Sequence, residues 1–254
     1  MNIKKILEEH RMWVESEGRE GKRADFSYKD LSSTDFSGEF LENSRFTGAI
    51  LSNCKFVNAK LAEAAMSATC LDKADFTGAD CTYADFSDSQ ITNSKIVNAQ
   101  MRFARLDYVD FSDSVLNNVR IDCADINKAN FANANCNSLI FNNSKLDRTD
   151  FTNAKLTDVT FWHNNIKSMQ LNGASLTRVV FEKVKLWKCW LENAKLSDVS
   201  FNCSELRIFD IDDAQLSDVK FFNCSIYNMI ALTATGINVS FNCCTCDKKP
   251  LKEL

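Results

Sequence analysis

Every fifth residue from Phe26 to Ile226 is apolar: forty-one consecutive positions, held only by Phe, Leu, Ile, Met or Cys, without one slip of register. The series begins Phe26, Leu31, Phe36, Leu41, Phe46 and Leu51. An α-helix returns a side chain to the same face about every 3.6 residues and a strand about every 2.0, so neither produces this spacing. A period of five belongs to a ribbon whose turns come at fixed intervals, and the chain reads as a solenoid. Two residues before each apolar position the side chain is small or β-branched, as at Ala24, Ala49, Cys54, Ala59, Thr69 and Ala74. Between residues 24 and 224 only Lys29, Glu39, Leu139, Asn164, Met169 and Phe209 depart from that rule.

The unit is small, polar, Phe or Leu, polar, polar, as in Ala24-Asp25-Phe26-Ser27-Tyr28, Ala74-Asp75-Phe76-Thr77-Gly78 and Ala84-Asp85-Phe86-Ser87-Asp88. It closely resembles the pentapeptide-repeat family, whose motif is A(D/N)Lxx, over about four fifths of the chain. The resemblance implies an all-β fold, a right-handed quadrilateral β-helix with one pentad per side and twenty residues per coil. The central Phe or Leu then points into the bore, the small residue fits beside it where the backbone turns, and the other three face water. About ten coils at a strand spacing of about 4.8 Å make a rod roughly 50 Å long. Each buried Leu or Phe contributes about 1.5 to 3 kcal/mol, so the stacked ladder replaces a two-layer core. Sorted by twenty, one side stacks Phe141, Phe161, Phe181, Phe201, Phe221 and Phe241, and another stacks Leu156, Leu176, Leu196 and Leu216.

The ends of such a rod expose apolar bore and open strand edges. Ile3, Ile6, Leu7, His10, Trp13 and Val14 recur at helical spacing, with Gly18 and Gly21 behind them, so residues 2–17 are expected as an N-terminal capping α-helix. Glu8, Glu9, His10 and Arg11 interrupt any apolar run there, which argues against a signal peptide. The expected organisation is a capping helix and linker over 1–23, the β-helix over 24–244 and a short charged tail over 245–254 holding Pro250. The last coil is then thinly covered, or is itself a contact between two chains, which makes the protein a monomer or an end-to-end homodimer.

No stretch approaches the 18 or so apolar residues of a membrane span. Cys81 and Cys136 fall on bore positions, Cys54, Cys189, Cys224 and Cys244 on the small position, and Cys70, Cys123, Cys203 and Cys243 face outward. An odd total of eleven, most of them in phase with the repeat, reads as packing in a reducing compartment, so a cytoplasmic location is expected. Cys243-Cys244-Thr245-Cys246 lacks a second cluster or a nearby His, so no metal and no cofactor is assigned. Only His10 and His163 are present, no phosphate-binding or zinc-protease motif occurs, and no catalytic residue is assigned. The aspartates before the bore position, among them Asp25, Asp30, Asp35, Asp75, Asp80 and Asp85, follow the repeat and read as a solvated face rather than as acid-base pairs.

Function is then sought in surface decoration. The chain carries a net charge of −4, and the side whose bore residues begin Leu31, Leu51 and Leu71 holds nine acids against two bases. The acids include Asp110, Asp113, Asp150, Asp210, Asp212 and Asp213. Similar architecture in the quinolone-resistance members of the family implies a DNA mimic that binds a type II topoisomerase, DNA gyrase, by presenting an acidic rod. This sequence departs from that group in its mild charge, its uninterrupted pentads and its lack of a long C-terminal segment. The main expectation is a non-enzymatic protein-interaction scaffold with an unknown protein partner and no direct contact to nucleic acid or membrane. Trp187 and Trp190 flank one corner of a single coil at outward positions, with Ile208 and Tyr227 on following coils, and form the candidate contact.

Overall fold

The bore positions dictate the coil. In the computed structural model, which describes residues 1–247 and the backbone of 249–251, Phe26, Leu31, Phe36 and Leu41 all point inward, and so do their successors. Each coil stacks on the next through parallel pairing at an offset of twenty residues. One column of rungs runs unbroken from Asp25 through Arg45, Ala65, Asp85, Arg105, Asp125, Lys145, Asn165, Lys185, Glu205 and Ser225 to Thr245. The molecule is therefore a four-sided parallel β-helix preceded by a single α-helix. Its sides are numbered here from their first bore residues: Phe26 on the first, Leu31 on the second, Phe36 on the third and Leu41 on the fourth.

Corners recur at the last residue of each pentad. There the backbone turns left-handed, with φ of 62° at Asn43, 59° at Asn53 and 57° at Asn153. Asn tolerates this region better than other side chains with a Cβ, which accounts for its frequency at these corners. The preceding aspartates have a structural role in the turn. The Asp25, Asp30 and Asp35 carboxylates accept the main-chain N–H groups of Ser27, Ser32 and Ser37 at 2.9 to 3.0 Å, and Asp75, Asp80 and Asp85 do the same to Thr77, Thr82 and Ser87. Hydrogen bonds from Ser27, Ser32 and Ser37 hold the first three carboxyls below their ordinary pKa. These residues are thus turn-forming as well as solvated, which corrects the reading of a merely solvated face. On the third and fourth sides no aspartate occupies this position after Asp75 and Asp80, and three-residue strands such as Lys95–Val97 and Arg120–Asp122 take over from single bridges.

Aromatic stacking fills the bore. Phe161 lies 5.0 Å from Phe141 and 4.7 Å from Phe181, stacked nearly parallel to both, while Phe151 meets it edge-on at 6.1 Å. Three of the exceptions at the small position, Leu139, Met169 and Phe209, are also wholly buried, Phe209 edge-on to Phe201 at 5.3 Å. Asn164 is buried as well and donates through Nδ2 to the Ser144 carbonyl at 3.2 Å.

At the N-terminal end the helix α1, Ile3–Glu15, is opened by Asn2, whose side chain accepts the Lys5 N–H at 3.2 Å. Ile3, Ile6 and Leu7 pack on the core. Gly21, at φ +72°, brings the returning chain so close that a Cβ would run into the Glu9 carbonyl. His10 is buried, and its Nδ1 accepts the Ala24 N–H at 3.2 Å, so its proton resides on Nε2. Burial pushes its pKa below 6.5, the Glu42 main chain opposes this, and the Arg23 charge adds to it. Between the folded pKa and about 6.5 the unfolded chain binds more protons, so His10 lowers stability as pH drops below about 6.5, with the loss levelling off beneath the folded value. Glu42, raised above 4.5 mainly by burial, acts oppositely: it lowers stability as pH rises through the window between 4.5 and its folded value. The thermal midpoint should therefore fall more between about pH 7.5 and about pH 5.5 for the native chain than for His10→Gln, whose amide still accepts from Ala24. Parallel pH curves for the two proteins would show that His10 has no such role.

At the other end the cover is unequal. Lys249–Leu251 folds back antiparallel on Cys244–Cys246 and pairs the last edge of the first side. The last strands of the third and fourth sides, Thr235–Ile237 and Ser240–Asn242, have no strand on their outer edges among the described residues. The remainder of the tail expected over 245–254 lies outside the described residues.

Candidate interaction surface

The second side carries the expected acids, but they do not form a continuous stripe. Along its rungs the residues run Asp30, Ile50, Cys70, Gln90, Asp110, Asn130, Asp150, Gln170, Trp190, Asp210 and Ile230. Several carboxylates are occupied locally. Asp110 accepts Ser112 N–H at 2.9 Å and the Asn130 amide at 3.0 Å, Asp150 accepts Thr152 N–H at 2.8 Å, and Asp210 accepts Asp212 N–H at 3.1 Å. Asp212 in turn accepts the Leu232 and Thr233 N–H groups. Asp113 and Asp213 occupy exposed left-handed corners. The six aspartates therefore share a side without forming a single cluster.

Trp187 and Trp190 differ in exposure. Trp187 is 55% exposed on the first side, whereas Trp190 is half-buried within the acidic column, between Gln170 and Asp210. The two tryptophans thus lie on adjoining sides of one corner. Arg207, one coil beyond Trp187, places its guanidinium 5.4 Å from that ring and 5.0 Å from the ring of Tyr227 on the next coil. Glu205 accepts from Arg207 Nε at 2.6 Å and keeps the cation in the stack. Spacing by twenty places 187, 207 and 227 in one column, yet sequence reasoning passed over Arg207 because a lone arginine reads as solvated surface. Beside this stack lies a cleft of about 280 Å³ lined by Asn165, Lys185, Leu186, Trp187, Glu205 and Arg207.

Local backbone changes at the same corner. Between Tyr28 and Cys243 only Ser168, Lys188 and Thr233 occupy corner positions without a left-handed φ, and the first two are stacked on consecutive coils at the tryptophan corner. Among the described residues, no group of three His, Cys, Asp or Glu side chains could hold a metal ion. All eleven cysteines are free thiols, and burial raises the pKa of Cys54 to about 11 and those of Cys136 and Cys224 to about 12. Such thiols are poor nucleophiles and poor ligands at neutral pH. Among the described residues, no helix is long and apolar enough to cross a membrane.

Of the solved structures, QnrB1, a plasmid-mediated fluoroquinolone resistance protein, is 18% identical, with 86% of this chain and 92% of that one covered and a TM-score of 0.40. A pentapeptide repeat protein of the Arabidopsis thaliana thylakoid lumen is 25% identical over 53% of this chain and 69% of its own, with a TM-score of 0.27. The surface adhesin PfbA of Streptococcus pneumoniae is 11% identical over 94% of this chain and 93% of its own, with a TM-score of 0.40. No curated protein matches. The family model described as pentapeptide repeats matches residues 24–62, 59–96, 94–131, 124–162 and 165–207. The chain belongs to the pentapeptide-repeat family.

Proposed function

We propose that this chain is a non-enzymatic interaction scaffold whose contact with a protein partner is the tryptophan corner of the first and second sides. The observation that carries the reading is the Trp187–Arg207–Tyr227 stack, an exposed tryptophan and a half-buried tyrosine joined by a guanidinium and its Glu205 ion pair. Preorganised aromatic and arginine side chains are the usual anchors of protein contacts, because little conformational entropy remains to be lost on binding. The eleven free thiols favour a reducing compartment such as the bacterial cytoplasm. The open strand edges at the far end suit either a monomer or an end-to-end pair.

Selection of a displayed peptide library on the native protein, with counter-selection on Trp187→Ala, tests the scaffold reading. Sequences should emerge that bind the native chain and lose about tenfold or more in affinity on Trp187→Ala, a change of about 1.4 kcal/mol. Failure to enrich any such sequence would remove the proposal. The acidic side favours a second reading, contact with DNA gyrase as a mimic of its substrate. The broken column of carboxylates weakens it, since a duplex presents one charge about every 1.7 Å. A supercoiling assay with gyrase should show no inhibition by this protein, and inhibition abolished by changing Asp110, Asp113, Asp210 and Asp213 to Asn would establish the second reading instead.

A further inference from the structure

Four cations of the first side are paired with an aspartate one coil earlier before the chain reaches Trp187. Arg45 pairs with Asp25 at 3.6 Å, Arg105 with Asp85 at 3.4 Å, Lys145 with Asp125 at 2.8 Å and Lys167 with Asp147 at 3.4 Å, each across one coil. At Lys185 the pattern fails. Its neighbour one coil before is the uncharged Asn165, and its neighbour one coil after is Glu205, which is taken by Arg207. Lys183 and Lys188, at the two corners bounding this side, are likewise exposed and have no ion-pair partner among the described residues. Three ammonium groups without an ion-pair partner therefore lie near the exposed Trp187, Lys185 in the lining of the cleft and Lys183 and Lys188 at the two corners of its side.

An excess of positive charge is confined to that level of the rod. Residues 165–208 hold seven bases against four acids, whereas 24–164 hold thirteen against nineteen and 209–244 hold one against four. A basic belt thus lies between two acidic segments. A long polyanion laid along the rod would leave the belt within a few coils of about 4.8 Å each and meet carboxylates on either side. A short acidic segment would not.

We propose that the cleft on the first side binds a short acidic segment of a partner polypeptide in an extended conformation. Its carboxylates meet Lys183, Lys185 and Lys188, and an apolar side chain between them lies on Trp187. Asn165 offers an amide in the cleft lining, and the Arg207 guanidinium holds the Trp187 ring in place from one side. This inference rests on the scaffold reading and adds the chemistry of the partner.

Fluorescence polarisation with a short labelled peptide alternating Glu and Leu tests it, alongside peptides alternating Gln and Leu or Lys and Leu and an oligothymidylate of similar length. The Glu peptide should bind, the Lys peptide should not, and the affinity should fall steeply as salt is raised and the screening length shrinks from about 10 Å to about 3 Å. The combined variant Lys183→Gln, Lys185→Gln and Lys188→Gln should bind the Glu peptide about tenfold or more weakly, a loss of about 1.4 kcal/mol. All three lysines are exposed, so this variant should fold, and an unchanged circular dichroism melt verifies that. Equal binding of the Glu and Gln peptides, unchanged binding by the triple variant, or tighter binding of the oligothymidylate would each overturn the acidic-segment proposal. Trp187-dependent binding of the Gln peptide alone would leave the scaffold reading standing, whereas no binding of any peptide would count against both.

Discussion

Replacing Phe161 by Ala should lower the stability of the rod by about 3 to 5 kcal/mol, the range for emptying a large aromatic site in a core that only partly relaxes. Phe161 has no exposed surface and contacts a ring above, a ring below and a third edge-on. Its removal opens a cavity in the column from Phe141 to Phe241, and stacked pairs of this kind add about 0.5 to 1.5 kcal/mol beyond the area they bury. A solenoid is stabilised by contacts between neighbouring coils, so the damage is concentrated at the interfaces on either side of residue 161. Urea unfolding should show a lower midpoint, with the Trp187 signal, two coils' interfaces away, changing with or before the loss of β-structure. Phe161→Leu, which keeps most of the volume, should cost less than half as much. A loss below about 1 kcal/mol for the alanine variant would mean that the aromatic bore is not what holds the coils together.

Much of the architecture was legible because the bore leaves no choice. A position that points inward once per side must be apolar on every coil, so Phe26 to Ile226 declare both the period and the inward face. The capping helix was legible for a similar reason: Ile3, Ile6 and Leu7 recur at helical spacing and pack on the core. What escaped depends on backbone and on neighbours twenty residues away. The aspartates before the bore residues looked like ordinary solvated carboxylates, and only the turn geometry shows that Asp25 and Asp75 close their own corners. Trp187 and Trp190 looked equivalent, yet the first stands on the face and the second is set into the acidic column. Arg207 carried no signal by itself, since its role comes from Trp187 and Tyr227 on adjacent coils. The loss of the left-handed turn at Ser168 and Lys188 likewise has no signature in residue type, because Arg148 and even the β-branched Ile208 keep that turn on the neighbouring coils while these two ordinary polar residues lose it.

The second large effect concerns the length of a coil. Deleting residues 104–123 removes four whole pentads and joins Phe103 to Ala124 in phase. Coil 84–103 then stacks on coil 124–143, which places Phe86 against Ile126, Ile91 against Phe131 and Met101 against Phe141, all apolar pairs from buried positions. Deleting two residues more, 104–125, joins Phe103 to Ile126 and shifts every later residue by two. Lys128, Asn133 and Ser138 then occupy bore positions, and Ile126, Phe131 and Phe141 occupy the small position. Burying each of those polar groups without a partner costs about 2 to 7 kcal/mol, and the sum over successive coils exceeds the stability of an ordinary domain, about 5 to 15 kcal/mol. Restoring the register would require looping out most of another coil.

Thermal unfolding of the two deletion proteins, followed by circular dichroism, tests the twenty-residue coil most directly. The protein lacking 104–123 should fold, melt in one cooperative transition and form a rod shorter by about 4.8 Å, while the protein lacking 104–125 should lose that transition for the segment beyond the junction. Similar melting of the two proteins, or loss of folding in the in-phase deletion alone, would contradict a bore built from pentads stacked at twenty residues per coil.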